Sequence, residues 1–120
     1  KGEQYLTKAD QFALVYNRGR SWASSLLVIK ATSNGLDLSR YGFSVSKRIG
    51  NAVIRNRTKR LLRELLRKSS LKPGWDIVFV ARHPFITASY QELEKEVTTL
   101  LTRASIRAEE EDERSSPGND

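Results

Sequence analysis

The spacing of apolar residues along the chain predicts a small α+β fold with the element order α-β-β-α-β-α, and an extra strand is compatible with it. Helical spacing and strand-like alternation occur in separate segments. These segments are a first helix between residues 7 and 19, strands over 22–32 and 41–45, a helix over 52–68, a strand over 75–81 and a last helix from residue 89. Helices mixed with strands too few for a barrel indicate a two-layer α/β sandwich.

The first and last helices carry local signals for their ends. Thr7 with Asp10 is a shortened capping box, and Gly19 provides a stop for the first helix. Ser89 with Glu92 is the corresponding box of the last helix. The last helix has one apolar stripe, formed by Leu93, Val97, Leu100, Leu101 and Ala104.

Short apolar runs mark the strands. Residues 26–29 are an apolar run that is followed by the turn pair Asn34 and Gly35, and residues 77–80 form a second buried run. The remaining strand is half-buried, because apolar residues alternate with small ones at Tyr41, Phe43 and Val45.

The helix over 52–68 separates an apolar stripe from a basic side. At 100° per residue, five side chains cluster within about 140° of arc: Thr58, Leu61, Leu62, Leu65 and Leu66. The opposite side carries Asn56, Lys59, Arg60, Arg63 and Arg67. Because Thr58 lies within the apolar stripe, we expect its hydroxyl to donate to the Ile54 carbonyl.

Charge is concentrated around this helix. The chain has 21 Lys and Arg against 14 Asp and Glu, a net charge of +7, and residues 47–68 hold nine bases with Glu64 as their single acid. Like charges on one helix face repel each other, and a merely solvated face normally mixes signs. The pattern favours a face that binds nucleic-acid phosphates, and arginine suits bidentate phosphate contacts.

Residues 1–108 are expected to form a single RNA-binding domain, followed by an acidic disordered tail over 109–120. The tail holds six acids and one base, and a solubilising extension is favoured over a regulatory role. Neither an apolar run of membrane-spanning length nor a secretory signal is visible, so a cytoplasmic location is expected.

The sequence offers little for catalysis by the protein itself. Cysteine is absent, which excludes disulfides and thiolate zinc sites. The single histidine, His83, is interpreted as a surface or capping residue, and Asp37 and Asp76 lie where aspartate commonly bonds the backbone. We therefore expect no catalytic residue and no metal ligand in this chain.

Residues 47–64 closely resemble the signature of the bacterial ribonuclease P protein component. The stretch is Lys-Arg-Ile-Gly-Asn-Ala-Val-Ile-Arg-Asn-Arg-Thr-Lys-Arg-Leu-Leu-Arg-Glu, with Arg55-Asn56-Arg57 at its centre. The resemblance extends over roughly residues 7–107, because the order of elements also agrees. Thr58 departs from the pattern, since the family usually has an aliphatic residue there.

The resemblance implies a fold and a function. The family's fold is similar to a ribosomal-protein α/β sandwich, with the basic helix in a left-handed βαβ crossover that breaks the general rule. Its members bind a catalytic RNA that removes 5′ leaders from precursor tRNA, which implies these two RNAs as partners and a monomer within a 1:1 ribonucleoprotein. Mg²⁺ would be held mainly by the RNA, and no cofactor by the protein alone.

The resemblance also assigns residues to two RNA surfaces. Contact with the catalytic RNA is implied for Lys47, Arg48, Asn51, Arg55, Asn56, Arg57, Lys59, Arg60, Arg63 and Arg67. A cleft for the single-stranded leader is implied for Phe12 and Tyr16, together with the sheet face from Leu27 and Ile29. Aromatic rings stack on any base, which suits leaders of variable sequence, and core packing is the alternative for both rings.

Other classes of function compete with this interpretation. A ribosomal-type protein or a general RNA chaperone would explain the charge, but not the spacing of the motif. A DNA-recognition helix usually mixes Asn, Gln, Ser and Arg for base edges, whereas this face is almost entirely suited to phosphates. An autonomous nuclease is the least favoured class.

Overall fold

The structure is a computed structural model that describes residues 5–106. Its elements are α1 (Ala9–Arg18), β1 (Arg20–Ala23), β2 (Leu27–Ser33), β3 (Arg40–Ser44), α2 (Ala52–Arg67), β4 (Trp75–Ala81), a short 3₁₀ helix (His83–Thr87) and α3 (Tyr90–Arg103). The α+β class and the order of elements are confirmed, with β1 as the extra strand. The predicted acidic tail lies outside the described residues.

The segment predicted as one strand over 22–32 is interrupted by a turn at Ser24. The Ser24 N–H donates to the Leu27 carbonyl at 2.9 Å, and the Ser24 hydroxyl oxygen accepts from the Leu26 N–H at 3.1 Å. The chain reverses there, so β1 pairs antiparallel with β2. This turn contains neither glycine nor proline, so Ser24 and Ser25 are its only signal in the sequence.

The sheet has the strand order β1-β2-β4-β3, so β4 lies inside it. β4 pairs antiparallel with β2 and parallel with β3. Because β3 and β4 are parallel, the chain between them must cross over the sheet, and α2 forms this connection. The left hand of the crossover stays a prediction from the resemblance.

Side chains of the sheet alternate between two faces, which we call the α2/α3 face and the α1 face. The α2/α3 face carries the main core, in which Ile77 and Phe79 of β4 pack with the leucines of α2 and α3. On the α1 face, Val78 packs with Val15 and Leu6 in a smaller cluster. The sheet and the α2/α3 layer form the expected sandwich, and α1 covers part of the opposite face.

The ends of α3 agree with the sequence signals, whereas the start of α1 does not. Ser89 and Glu92 form the predicted capping box, with hydrogen bonds of 2.9 and 3.1 Å. The predicted Thr7–Asp10 box is wrong, because the Gln11 side-chain oxygen accepts from the N–H groups of Thr7 and Lys8 instead.

Gly19 ends α1 as predicted. Its N–H donates to the Val15 carbonyl at 2.7 Å, and a Cβ at Gly19 would collide with that carbonyl oxygen.

Asp76 is 1% exposed, and its partners are side chains rather than the backbone, contrary to the prediction. Arg40 donates to both carboxylate oxygens, at 2.9 and 2.7 Å, and Asn34 donates to one of them at 2.9 Å. The hydrogen bond to Asp76 raises the pKa of Arg40. Since Asn34 begins the predicted turn, where Gly35 has φ of +73°, this cluster fastens the 34–39 loop to the start of β4.

Candidate nucleic-acid interface

The apolar side of α2 determines which way its basic side chains point. Thr58, Leu62, Leu65 and Leu66 are buried and Leu61 is partly buried, which confirms the predicted stripe. The Thr58 hydroxyl donates to the Ile54 carbonyl at 2.9 Å, as expected, so the buried hydroxyl is satisfied. The opposite side of the helix therefore faces away from the sheet.

The segment before α2 displays two of the predicted basic residues. Ile49 is buried and anchors this segment to the core, whereas Lys47 and Arg48 are exposed. Asn51 is the N-cap of α2, because its side-chain oxygen accepts from the Ile54 N–H at 3.0 Å. Asn51 thus has a structural role at the helix start, and its side-chain amide donors remain for other contacts.

Five predicted residues form what we call the basic row, which lies along one side of α2: Asn56, Lys59, Arg60, Arg63 and Arg67. Arg57 is exposed on the neighbouring side of the helix. Arg55 is half-buried and lies at the angle of the apolar stripe, near the start of the helix. The ten predicted residues thus share one helix and the loop that leads into it, although they do not all point in one direction.

The basic side chains of α2 have no acidic partner among residues 5–106. In this part of the chain the only ion pair joins Arg40 and Asp76, at 2.7 Å. The one acid within the helix, Glu64, is exposed and forms no such pair. An uncompensated row of bases repels itself in the free protein, and a bound polyanion removes that repulsion.

The two aromatic residues of α1 lie in different surroundings. The ring of Phe12 packs over Gly42 of β3 and against the Leu6, Val15 and Val78 cluster, so tightly that a Cβ at Gly42 would collide with it. Tyr16 is 43% exposed, and its ring centroid lies 5.8 Å from the Lys30 ammonium nitrogen. Phe12 is mainly a packing residue, whereas Tyr16 offers its ring to the surface.

The prediction that Leu27 and Ile29 lie beside these aromatic rings is wrong. Both are 0% exposed and belong to the core on the α2/α3 face, so they cannot line a cleft on the other side of the sheet. Because strand side chains alternate, Val28 and Lys30 occupy the α1 face instead. The charge of Lys30 is the sequence signal that positions 28 and 30 lie on the less buried face of β2.

Other candidate sites are sparse in the described part of the chain. No group of three or more His, Asp or Glu side chains within residues 5–106 has the arrangement to hold a metal ion. His83 is exposed at the start of the 3₁₀ helix, and Asp37 is exposed in the 34–39 loop. None of the helices over these residues is of a length and apolarity suited to crossing a membrane.

A sandwich of this kind, with a basic helix that has no acidic partner in the described residues, defines a nucleic-acid-binding protein. A family model described as Ribonuclease P matches residues 1–105, and the chain belongs to this family.

Curated relatives carry the corresponding name. The chain is 45% identical over 116 residues to the ribonuclease P protein component of Dehalococcoides mccartyi, which covers 97% of both chains. It is 44% identical over 110 residues to that of Clostridium novyi, covering 88% of this chain and 97% of the relative.

Solved structures agree with the fold. The RNase P protein of Staphylococcus aureus superimposes with a TM-score of 0.78 at 32% identity, over 87% of this chain and 97% of that one. The RNase P protein of Thermotoga maritima gives a TM-score of 0.76 at 29% identity, over 84% and 97%.

Proposed function

We propose that this chain is the protein subunit of ribonuclease P, in which it binds the catalytic RNA and the 5′ leader of precursor tRNA to promote 5′-end maturation. The observation that carries the proposal is the basic row of α2, which lacks acidic partners in the described residues, in a chain of this family. A ribosomal-type or general RNA chaperone would explain the charge, but the relatives named above favour ribonuclease P.

The basic row acts on the catalytic RNA by neutralising phosphates. Each Lys or Arg that contacts a phosphate releases condensed counterions, which makes binding favourable at low salt. Neutralised phosphates also repel a second RNA less, so the substrate approaches the catalytic RNA more readily. Lys47 and Arg48 extend this surface beyond the start of α2.

The chemistry of the reaction is placed on the RNA in this proposal. Oxygen ligands suit Mg²⁺, but residues 5–106 hold no group of three or more His, Asp or Glu side chains arranged to bind a metal ion. These residues therefore offer no site with several protein ligands, and we assign the magnesium ions mainly to the RNA. The protein would contribute binding and positioning within a 1:1 cytoplasmic complex.

The leader is proposed to lie on the α1 face of the sheet. The exposed ring of Tyr16 supplies a stacking surface that accepts any base. Lys30, next to that ring, supplies a charge for the leader's phosphates. Phe12 and Val28 complete the corrected set of residues, with Phe12 holding α1 against the sheet.

Reconstitution tests the proposed function. We expect the chain to raise kcat/KM for precursor tRNA cleavage by the catalytic RNA of Dehalococcoides mccartyi, and to cleave nothing when it is alone. Arg57→Gln/Arg60→Gln should reduce this stimulation, because it removes two exposed bases of α2. The matched control is Lys95→Gln/Arg103→Gln, which removes two exposed bases of α3 and should stimulate like the wild type.

Two results would contradict the proposal. One is cleavage of precursor tRNA by RNA-free protein over many turnovers, which would require a catalytic site in this chain. The other is an equal loss of stimulation in both double variants, which would mean that net charge matters and the location on α2 does not.

A further inference from the structure

A shallow pocket of about 270 Å³ lies between α2 and the edge of the sheet at β3, lined by Tyr5, Phe43 and Arg63. Phe43 belongs to the α2/α3 side of the sheet, since it packs against the main core. The pocket is therefore separate from the surface around Tyr16, which lies on the α1 face. None of the roles described so far involves the aromatic wall of this pocket, which is formed by the rings of Tyr5 and Phe43.

The aromatic wall of this pocket is held firmly in place. The ring centroids of Tyr5 and Phe43 are 6.4 Å apart, and Phe43 lies 6.1 Å from the buried Phe79. Tyr5 also contacts Tyr41 edge to face at 5.4 Å, and the Leu6 N–H donates to the Tyr41 carbonyl at 3.0 Å. Tyr5 nevertheless keeps 37% of its surface exposed, so a preformed ring surface faces solvent beside a highly basic helix.

Arg63 forms the opposite wall. It is half-buried, and no acidic side chain among residues 5–106 pairs with it. The Arg63 side chain and the aromatic rings border one open space whose walls are almost wholly apolar.

We propose that this pocket takes one unpaired nucleobase of the catalytic RNA, stacked between the Arg63 guanidinium and the rings of Phe43 and Tyr5. Unpaired bases in RNA are recognised by stacking on aromatic rings and on arginine planes, and a pocket with both walls offers both modes at once. The inference rests on the proposed function, and it changes the role of Arg63 from a phosphate contact to a base contact.

The position of Arg63 in the basic row favours the catalytic RNA over the leader as the source of the base. Lys59 and Arg67 lie one helical turn to either side of Arg63, so an RNA strand whose phosphates bind them passes directly over the pocket. The surface proposed for the leader lies across the sheet, at Tyr16 and Lys30. One base of the RNA strand that is bound along α2 would turn toward the protein and fill the pocket.

Two variants test the proposal with the full chain and the catalytic RNA of Dehalococcoides mccartyi as the probe. Arg63→Lys keeps the charge and removes the planar group, and Tyr5→Leu keeps an apolar side chain and removes the ring. Each should weaken binding about fivefold or more, the loss of stacking on one base. Neither should change the slope of log K against log salt, because no phosphate contact is lost.

A matched control and a second variant make the result specific. Tyr90→Leu removes a tyrosine ring at the start of α3 that does not line the pocket, and it should bind the RNA like the wild type. Lys59→Gln should lower the steepness of the salt slope by about 0.9, as expected for one phosphate contact. Thermal unfolding of each variant verifies that the fold is retained.

The outcomes separate the pocket from the proposed function. Tight binding by the wild type with equal affinity in Arg63→Lys and Tyr5→Leu would overturn the pocket and leave the ribonuclease P role standing. A loss seen with precursor tRNA alone would overturn the assignment to the catalytic RNA. Failure of the wild-type chain to bind the catalytic RNA would overturn the pocket and the proposed function together.

Discussion

The salt dependence of RNA binding gives the most direct measure of how many phosphates α2 neutralises. Five bases of α2 lie outside its apolar stripe: Arg57, Lys59, Arg60, Arg63 and Arg67. Each phosphate contact contributes about 0.7 to 0.9 to the slope of log K against log salt. If all five contact phosphates, they predict a slope of about −4, and a loss of affinity of roughly 250-fold between about 50 and about 200 mM salt.

Removing two of these bases should change the slope by a predictable amount. Arg57→Gln/Arg60→Gln leaves three phosphate contacts, so the slope of log K against log salt should become less steep, at about −2.4. Because both side chains are exposed and have no acidic partner in the described residues, their loss should change the free energy of unfolding by less than about 0.5 kcal/mol each. The control Lys95→Gln/Arg103→Gln has the same net charge and should keep the wild-type slope.

Filter binding of the catalytic RNA over a salt series measures these slopes, and thermal unfolding measures the stability of each variant. Identical slopes in the two double variants would refute the reasoning, because they would show that the whole protein's charge drives binding. Loss of the thermal transition in Arg57→Gln/Arg60→Gln would show instead that these arginines support the fold. If Arg63 contacts a base rather than a phosphate, the wild-type slope should be smaller by about one contact.

Three further predictions concern other parts of the molecule. Tyr16→Ala should weaken holoenzyme binding of precursor tRNA by about 1–3 kcal/mol and leave mature tRNA unchanged, and equal losses for both would contradict the leader surface. Asp76→Ala should lower the free energy of unfolding by about 3 kcal/mol, because it leaves the Arg40 guanidinium without its carboxylate partner. Urea denaturation of Asp76→Leu/Arg40→Met should show that most of this loss is recovered. Gly42→Ala should destabilise the fold by about 1–3 kcal/mol through the collision with Phe12, and a loss that persists in Gly42→Ala/Phe12→Leu would exclude this cause.

Elements with strong local signals were predictable from the sequence. β4 spans Trp75–Ala81 as expected, and α3 begins at the predicted capping box of Ser89 and Glu92. The basic side of α2 was equally predictable, because the periodicity of its leucines determines the direction in which every other side chain points. These features depend on residues within about one or two helical turns of each other.

Features that depend on long-range pairing were not predictable in the same way. Residues 26–29 are all apolar, so the pattern does not distinguish the strand face that meets α1 from the face that meets α2 and α3. An error of one position along the strand moves every side chain to the other face. Leu27 and Ile29, which the resemblance implies for the leader cleft, lie in the main core. The role of Asp76 depends likewise on Arg40, which lies 36 positions earlier and comes close only when β3 pairs with β4.

The position of β4 separates the two proposed RNA surfaces. Its side chains alternate, so Ile77 and Phe79 support the layer that carries α2, while Val78 and Val80 pack on the side of α1. The basic row and the surface around Tyr16 therefore lie on opposite sides of the same buried strand. Since neither proposed surface covers the other, the catalytic RNA bound to α2 would leave the α1 face open to the leader, and variants of one surface should leave binding at the other intact.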